Sequence, residues 1–113
     1  MTGNEYQALA ARTISTKLDK DELTVHALCG LASEVGEIHS IFQHYLQHKD
    51  REIDIRNLVD EIGDANWFIA ELCTVFGIQL DNVMERNIEK LRNRFPEGFD
   101  VERSVHRHEL EGQ

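Results

Sequence analysis

The sequence has few residues that interrupt helices and no long apolar run. Its 113 residues include one proline and seven glycines, and the apolar residues recur mostly at intervals of three and four. That period is typical of amphipathic helices rather than strands, so the sequence predicts an all-α fold. No apolar run approaches the roughly 20 residues that a membrane-spanning helix needs, and we therefore expect no membrane partner.

Cysteines and basic residues are also scarce. The two cysteines, Cys29 and Cys73, lie within helical patterns, and nothing before them resembles a signal peptide, which predicts reduced core thiols in a cytoplasmic protein. The net charge of −9, from 21 acidic and 12 basic residues, argues against binding to a nucleic-acid polymer. A free nucleotide remains a candidate ligand if positive charge is gathered locally.

Helix-capping patterns divide the chain into four predicted helices. Asn4 and Gln7, like Asp19 and Glu22, have the spacing of a capping box. Gly77 stands where a helix would end, and the charged segment 48–54 is predicted to connect two helices. The predicted helices cover about residues 5–16, 19–47, 55–76 and 80–95. We expect a four-helix bundle-like domain over residues 1–99, completed by dimerisation, and an irregular tail over residues 100–113.

Two pairs of acidic residues are the strongest functional signal. Glu34 and Glu37 are three residues apart, as are Glu61 and Asp64, so each pair lies on one face of a helix. The short segment between the second and third helices makes them antiparallel neighbours. The sequence therefore predicts four converging carboxylates.

The apolar surroundings of these acids favour a metal site over a solvated surface. Glu34 lies in a row with Leu31 and Ile38, and Glu61 lies in a similar apolar row. Burying neighbouring ionised carboxylates destabilises the folded protein by several kcal/mol, through desolvation and repulsion, unless a cation neutralises them. Oxygen ligands suit Mg²⁺ or Mn²⁺ better than Zn²⁺, and the Glu-x-x-His pairs of di-iron bundles are absent. The alternative is a group of ordinary surface acids, common in so acidic a chain.

Three segments resemble the MazG-like all-α nucleoside triphosphate pyrophosphohydrolases, whose signature is EExxE followed, after a gap, by ExxD. Residues 30–37 read GLASEVGE, residues 60–64 read DEIGD, and residues 87–94 read NIEKLRNR, which is similar to the family's N-x-x-K-x-x-x-R pattern. Trp67 also looks like the family. One departure is Ser33, which replaces the first acid of EExxE.

This resemblance implies hydrolysis of nucleoside triphosphates to monophosphate and pyrophosphate by dimers or dimers of dimers. The positions of Glu34, Glu37, Glu61 and Asp64 bind the metal in the family, and all four acids are intact. We expect Mg²⁺ held by these residues to activate a water for attack on the triphosphate. A carboxylate not fully engaged with metal, such as Glu34 or Glu37, would accept the proton.

Other residues are candidates for substrate binding. Asn87, Lys90 and Arg94 share one face of the fourth helix and could contact phosphates, although basic residues at a helix C-terminus are also favoured without any ligand. Four further residues could recognise the base, by stacking or by hydrogen bonds: Trp67, Phe68, Gln7 and Asn66.

The sequence leaves two other functions open. Ser33 is the feature that favours a non-catalytic helical dimerisation or regulatory module. A metal-dependent phosphohydrolase acting on a substrate that is not a nucleotide would use the same carboxylates.

Overall fold

The computed structural model describes residues 1–48 and 52–106, and this part of the chain is all-α, as the sequence predicts. It falls into two units, Met1–Gln79 and the part from Leu80 onward. A single domain over residues 1–99 stays a prediction. The helices are α1 (Gly3–Ala11), α2 (Lys20–Gln47), α3 (Ile55–Val75), α4 (Leu80–Arg94) and α5 (Val101–Val105).

The first helix begins and ends earlier than its sequence predicts. Thr2, not Asn4, is the N-cap, because its extended backbone lets the hydroxyl accept the amide hydrogen of Glu5 at 3.0 Å. At the other end, the amide and the hydroxyl of Thr13 both donate to the Ala10 carbonyl, at 3.0 and 2.7 Å. This tight turn ends α1 at Ala11, well before residue 16.

The predicted capping box of α2 and the predicted start of α3 at residue 55 are confirmed. The Asp19 carboxylate accepts from the Glu22 amide at 2.9 Å, and the Glu22 carboxylate accepts from the Asp19 amide at 3.1 Å. The α2 helix extends to Gln47 as predicted. Asp54 caps α3 by accepting the amide hydrogen of Asn57 at 3.1 Å. In the predicted connection 48–54, residues 49–51 lie outside the described part of the chain.

The third helix ends in a turn that needs a glycine. Gly77 has a φ of +66°, which residues with a β-carbon rarely adopt. The next amide, that of Ile78, donates to the Cys73 carbonyl at 2.8 Å, which closes the end of the helix. The predicted end at Phe76 is therefore correct to within one residue.

In the first unit, α3 packs against both α1 and α2 through small side chains. The buried apolar residues among those described are Ala10, Ala27, Ala70 and Cys73. Small residues let helix backbones approach closely, which suits the packing of α3 against its two neighbours. Cys73 is a core thiol as predicted, and burial raises its pKa. Cys29 is free but exposed, so the prediction of a core thiol is wrong there.

The second unit contains α4 and α5. After Gly98, which has a φ of +91°, the Asp100 carboxylate accepts from the amides of Glu102 and Arg103 and starts α5. The Arg103 guanidinium donates to the carbonyls of Asn93, at 3.0 Å, and Arg94 at the end of α4. The prediction of an irregular tail is therefore wrong for Val101–Val105, and residues 107–113 lie outside the described residues.

Candidate metal centre

Three carboxylates from two helices meet in the first unit. One carboxylate oxygen each from Glu34 on α2 and from Glu61 and Asp64 on α3 all lie within 4.8 Å of one another. The spacing of three residues puts Glu61 and Asp64 on one face of α3, and the antiparallel packing brings that face to Glu34. Glu34 and Glu61 are half-buried, whereas Asp64 is exposed. The site is therefore open to solvent on the Asp64 side.

The electrostatics of Glu34 set this cluster apart from a group of surface acids. Its pKa is raised to about 7, first by a hydrogen-bonding interaction with the Glu61 carboxyl, then by burial and by repulsion from Glu61, Asp64 and Glu37. The Glu34 Oε2 atom is buried and, while both carboxylates are ionised, finds no hydrogen-bond donor among the described residues. A buried acceptor without a donor is unfavourable unless a cation or a proton satisfies it. The three residues present therefore fit a hard divalent cation.

The fourth predicted ligand, Glu37, lies outside this group of mutually close oxygens. Its side chain is exposed, and its charge contributes the smallest of the repulsions that raise the Glu34 pKa. Glu37 lines a cavity of about 430 Å³ between the end of α2 and the start of α3. Its role as a metal ligand stays a prediction. The cavity is lined by Glu37, Ser40, Ile41, His44, Tyr45, Glu52, Ile53, Asp54 and Asn57.

Tyr6 on α1 is close enough to the cluster for the charge of Asp64 to affect its pKa. The pKa of Tyr6 is raised by burial and by repulsion from Asp64. Because the phenol stays neutral, it can act as a hydrogen-bond donor on this side of the site. Sequence reasoning did not single out Tyr6, since a position on α1 does not tell which residue of α3 it faces.

Two residues considered for base recognition have partners within the protein. The Gln7 amide nitrogen donates to the Ile78 carbonyl at 2.8 Å and to the Thr74 hydroxyl at 3.3 Å, and so ties α1 to the end of α3. The Trp67 indole donates to the Thr13 hydroxyl at 2.8 Å. Gln7 therefore has a structural role here, while the half-buried rings of Trp67 and Phe68 keep accessible surface.

Trp67 and Phe68 belong to an aromatic group that also includes a histidine. Their rings are edge-to-face, with centroids 5.2 Å apart. The His26 ring lies 6.1 Å from that of Trp67 and 5.6 Å from that of Phe68. Asn66, the remaining candidate for base recognition, is exposed. The structure thus brings two of the predicted residues into one surface and leaves their contact with a base as a prediction.

Sequence reasoning did not single out the pair formed by His26 and Glu71. The Glu71 side chain is buried, and both of its carboxylate oxygens accept from His26 Nδ1, at 3.0 and 2.9 Å. The signal that could have revealed it is an acid within the apolar run FIAELC at residues 68–73. Such a residue needs a polar partner from another helix.

The predicted phosphate-binding residues belong to α4 in the second unit. Asn87 and Lys90 are exposed, and Arg94 is half-buried with its guanidinium carbon 5.8 Å from the centroid of the Phe95 ring. Their spacing puts them on one face of α4, as the sequence predicts. Their contact with a substrate remains a prediction.

Comparisons with known proteins agree with the carboxylate pattern. The family model described as the MazG nucleotide pyrophosphohydrolase domain matches residues 24–99, which contain all four predicted metal ligands. The "Gene 37 protein" of Mycobacterium phage L5 is 34% identical over 83 residues, which cover 71% of this chain and 73% of the phage protein. No solved structure matches the chain. The extent of the family match shows that this all-α protein belongs to the MazG nucleotide pyrophosphohydrolase family.

Proposed function

We propose that the protein hydrolyses nucleoside triphosphates, or deoxynucleoside triphosphates, to monophosphate and pyrophosphate in a Mg²⁺-dependent reaction. The observation that carries this proposal is the buried, unpartnered Glu34 Oε2 atom within the three-carboxylate cluster. An arrangement with an unsatisfied anionic oxygen is suited to a cation. Membership of a nucleotide pyrophosphohydrolase family supports a nucleotide as the substrate.

Glu34, Glu61 and Asp64 would hold the metal, and Glu37 would join them on the α2 side. Carboxylate oxygens of this kind suit Mg²⁺, and Mn²⁺ is an acceptable substitute. When bound, the metal would supply positive charge to phosphate oxygens and activate a water. No Cys or His side chain belongs to the cluster among the described residues, which disfavours Zn²⁺.

The residues of the chain have separate tasks in this reaction. Glu34 or Glu37 would accept the proton of the attacking water, and the raised pKa of Glu34 brings it near the range useful to a general base. Asn87, Lys90 and Arg94 would bind phosphate oxygens through charge-assisted hydrogen bonds. Phosphoryl transfer depends mainly on such positioning and charge neutralisation.

The exposed apolar side chains of α2 and α3 support assembly into a homodimer or a dimer of dimers. Val25, Val35 and Val59 have 59%, 55% and 60% of their surface exposed, and Ile62 has 44%. Several large apolar residues at helical spacing are unusual on the surface of a monomer. A second copy of the chain would cover them. Sedimentation analysis should give twice or four times the 13.0 kDa mass of the chain.

Ser33 favours a second candidate, a non-catalytic helical module. It stands where the first acid of the EExxE signature is expected, and it is exposed. Because the cluster contains Glu34, Glu61 and Asp64 but not residue 33, the substitution leaves the three-carboxylate cluster intact. Catalysis is therefore the better supported function. A cytoplasmic location fits the free thiols Cys29 and Cys73.

The decisive experiment measures pyrophosphate release from a panel of ribo- and deoxyribonucleoside triphosphates with and without Mg²⁺. We expect release with Mg²⁺, no release with EDTA, and a nucleoside monophosphate as the other product. Orthophosphate as the first product would indicate a different phosphohydrolase. Inactivity on every nucleotide, with Mg²⁺ bound, would favour the non-catalytic module.

A further inference from the structure

The buried carboxylate of Glu71 serves to hold one imidazole. Glu71 is 1% exposed and is the one charged residue that is buried among those the structure describes. Its two oxygens share a single donor, the Nδ1 atom of His26, at 2.9 and 3.0 Å. Burial of a carboxylate is unfavourable without a partner, so the pair is retained only if the contact with His26 compensates.

This contact determines which nitrogen of His26 faces other molecules. With the Nδ1 hydrogen donated to Glu71, the neutral imidazole keeps Nε2 as a hydrogen-bond acceptor. The His26 side chain is 49% exposed, and no described residue hydrogen-bonds its Nε2 atom. A buried carboxylate that orients a half-exposed imidazole is a common arrangement in sites that bind or transform a ligand.

The pair lies on the same helix seam as the carboxylate cluster. His26 precedes Glu34 on α2 by eight residues, a distance of about 12 Å along the helix axis. On α3, Glu71 follows Asp64 by seven residues, and Phe68 lies between them. This axial distance is about the length of a nucleotide, so a nucleotide with its phosphates at the carboxylates would bring its other end near His26.

The surface around His26 has the chemistry of a nucleoside site and not of a phosphate site. The rings of Trp67 and Phe68 pack at 6.1 and 5.6 Å from that of His26, which makes an aromatic surface with one hydrogen-bonding nitrogen. Nucleobases bind by stacking on aromatic rings and by hydrogen bonds at their edges. The adjacent Glu71 carboxylate would disfavour an anion.

We propose that His26 contacts the nucleoside part of the substrate through Nε2, beside Trp67 and Phe68, and that Glu71 is a positioning residue that fixes the His26 tautomer. This inference rests on the proposed nucleotide substrate. It assigns to the pair a role in recognition, separate from the metal chemistry of Glu34, Glu61 and Asp64.

Nitrogen-15 NMR of the imidazole tests the proposal directly. The wild-type protein is titrated with a nucleoside triphosphate analogue that cannot be cleaved between the α and β phosphates, in the presence of Mg²⁺. We expect the His26 Nε2 resonance to shift as the analogue binds. In Glu71→Gln, which keeps the side-chain volume, the free protein should show a larger fraction of the tautomer with hydrogen on Nε2, because an amide can donate as well as accept.

Kinetics of the same variants give a second, independent readout. His26→Asn and Glu71→Gln should raise KM for nucleotides about tenfold while Mg²⁺ affinity, measured without nucleotide, stays unchanged. The matched control is His39→Asn, since His39 is an exposed histidine of the same helix outside the site. It should retain the wild-type KM. Circular dichroism establishes that each variant is folded.

The outcomes separate this inference from the proposed activity. If wild-type protein releases pyrophosphate but the His26 signals do not move and KM is unchanged in the folded variants, the pair is only a structural ion pair and the inference is wrong. If wild-type protein binds the analogue with a shifted His26 signal but hydrolyses nothing, the inference stands and the activity fails. If wild-type protein binds no nucleotide, both are wrong.

Discussion

The ring of Phe68 on α3 lies against the backbone of Gly30 on α2, in the space that a β-carbon on residue 30 would fill. This contact lies between the Glu34 cluster and the His26–Glu71 pair. It therefore fixes how closely the two helices approach at the centre of the seam. The spacing of the carboxylates depends on it because Glu34 is one helical turn from Gly30.

Gly30→Ala should destabilise the protein by about 1–3 kcal/mol, because the added methyl group overlaps the Phe68 ring and forces the helices apart. Thermal unfolding followed by circular dichroism measures the change. The matched control is Gly36→Ala on the same helix, where a β-carbon meets nothing within 4 Å. There, alanine should be neutral or stabilise the helix by up to about 1 kcal/mol. Equal effects of the two substitutions would contradict the close approach at Gly30.

The stability of the metal-free protein should fall as pH rises from about 4.5 to 7. The pKa of Glu34 is raised in the folded state from its ordinary value of 4.5 to about 7. Between these values the folded protein binds a proton that the unfolded chain has released, so the free energy of unfolding decreases with pH. Melting temperatures measured in EDTA between pH 4.5 and 7 test this dependence of stability on pH. The Glu34→Gln variant should lack the part of the dependence that comes from Glu34.

Mg²⁺ should offset the loss of stability at higher pH, since the metal binds the ionised carboxylates. The increase in melting temperature on adding Mg²⁺ should therefore be larger at pH 8 than at pH 6. A melting temperature indifferent to millimolar Mg²⁺ at both pH values would argue against the metal centre.

Glu61→Gln should abolish hydrolysis and leave the metal-free fold intact or slightly more stable. Glu61 raises the Glu34 pKa first through a hydrogen-bonding interaction and also through repulsion, and the neutral amide removes that repulsion while it weakens the proposed metal site. Pyrophosphate release and metal-free thermal unfolding are measured on the same preparation. Loss of the helical signal in this variant would instead identify Glu61 as a structural residue.

Lys90→Ala should leave Mg²⁺ affinity nearly unchanged but reduce kcat/KM roughly tenfold to a hundredfold. This is the effect expected from the loss of one charge-assisted hydrogen bond worth about 1.5–3 kcal/mol. Arg94→Ala should act in the same direction, although Arg94 is half-buried beside Phe95 and its loss also affects packing. Arg92→Ala is the control, an exposed basic residue on the same helix. Wild-type kcat/KM in Lys90→Ala and Arg94→Ala would show that this face of α4 is only solvated.

Local signals in the sequence were sufficient for the helices whose caps are made by neighbouring residues. Asp19 and Glu22 cap each other within one turn, so the start of α2 could be predicted. The end of α1 could not, because it depends on the Thr13 hydroxyl turning back to the Ala10 carbonyl rather than continuing the helix. The start of α5 depends on Asp100, whose capping role is hidden in a charged and aperiodic segment.

The sequence by itself determined the helical class and the pairing of acids within each helix, because residues three apart share a face whatever surrounds them. Only the tertiary structure decided which side chains meet across the α2–α3 seam. It joins Glu34 to Glu61 and Asp64, leaves Glu37 beside a separate cavity, and buries Glu71 against His26. These contacts depend on the axial register and separation of two helices. That register is set by packing between residues far apart in the chain, which no helical period encodes.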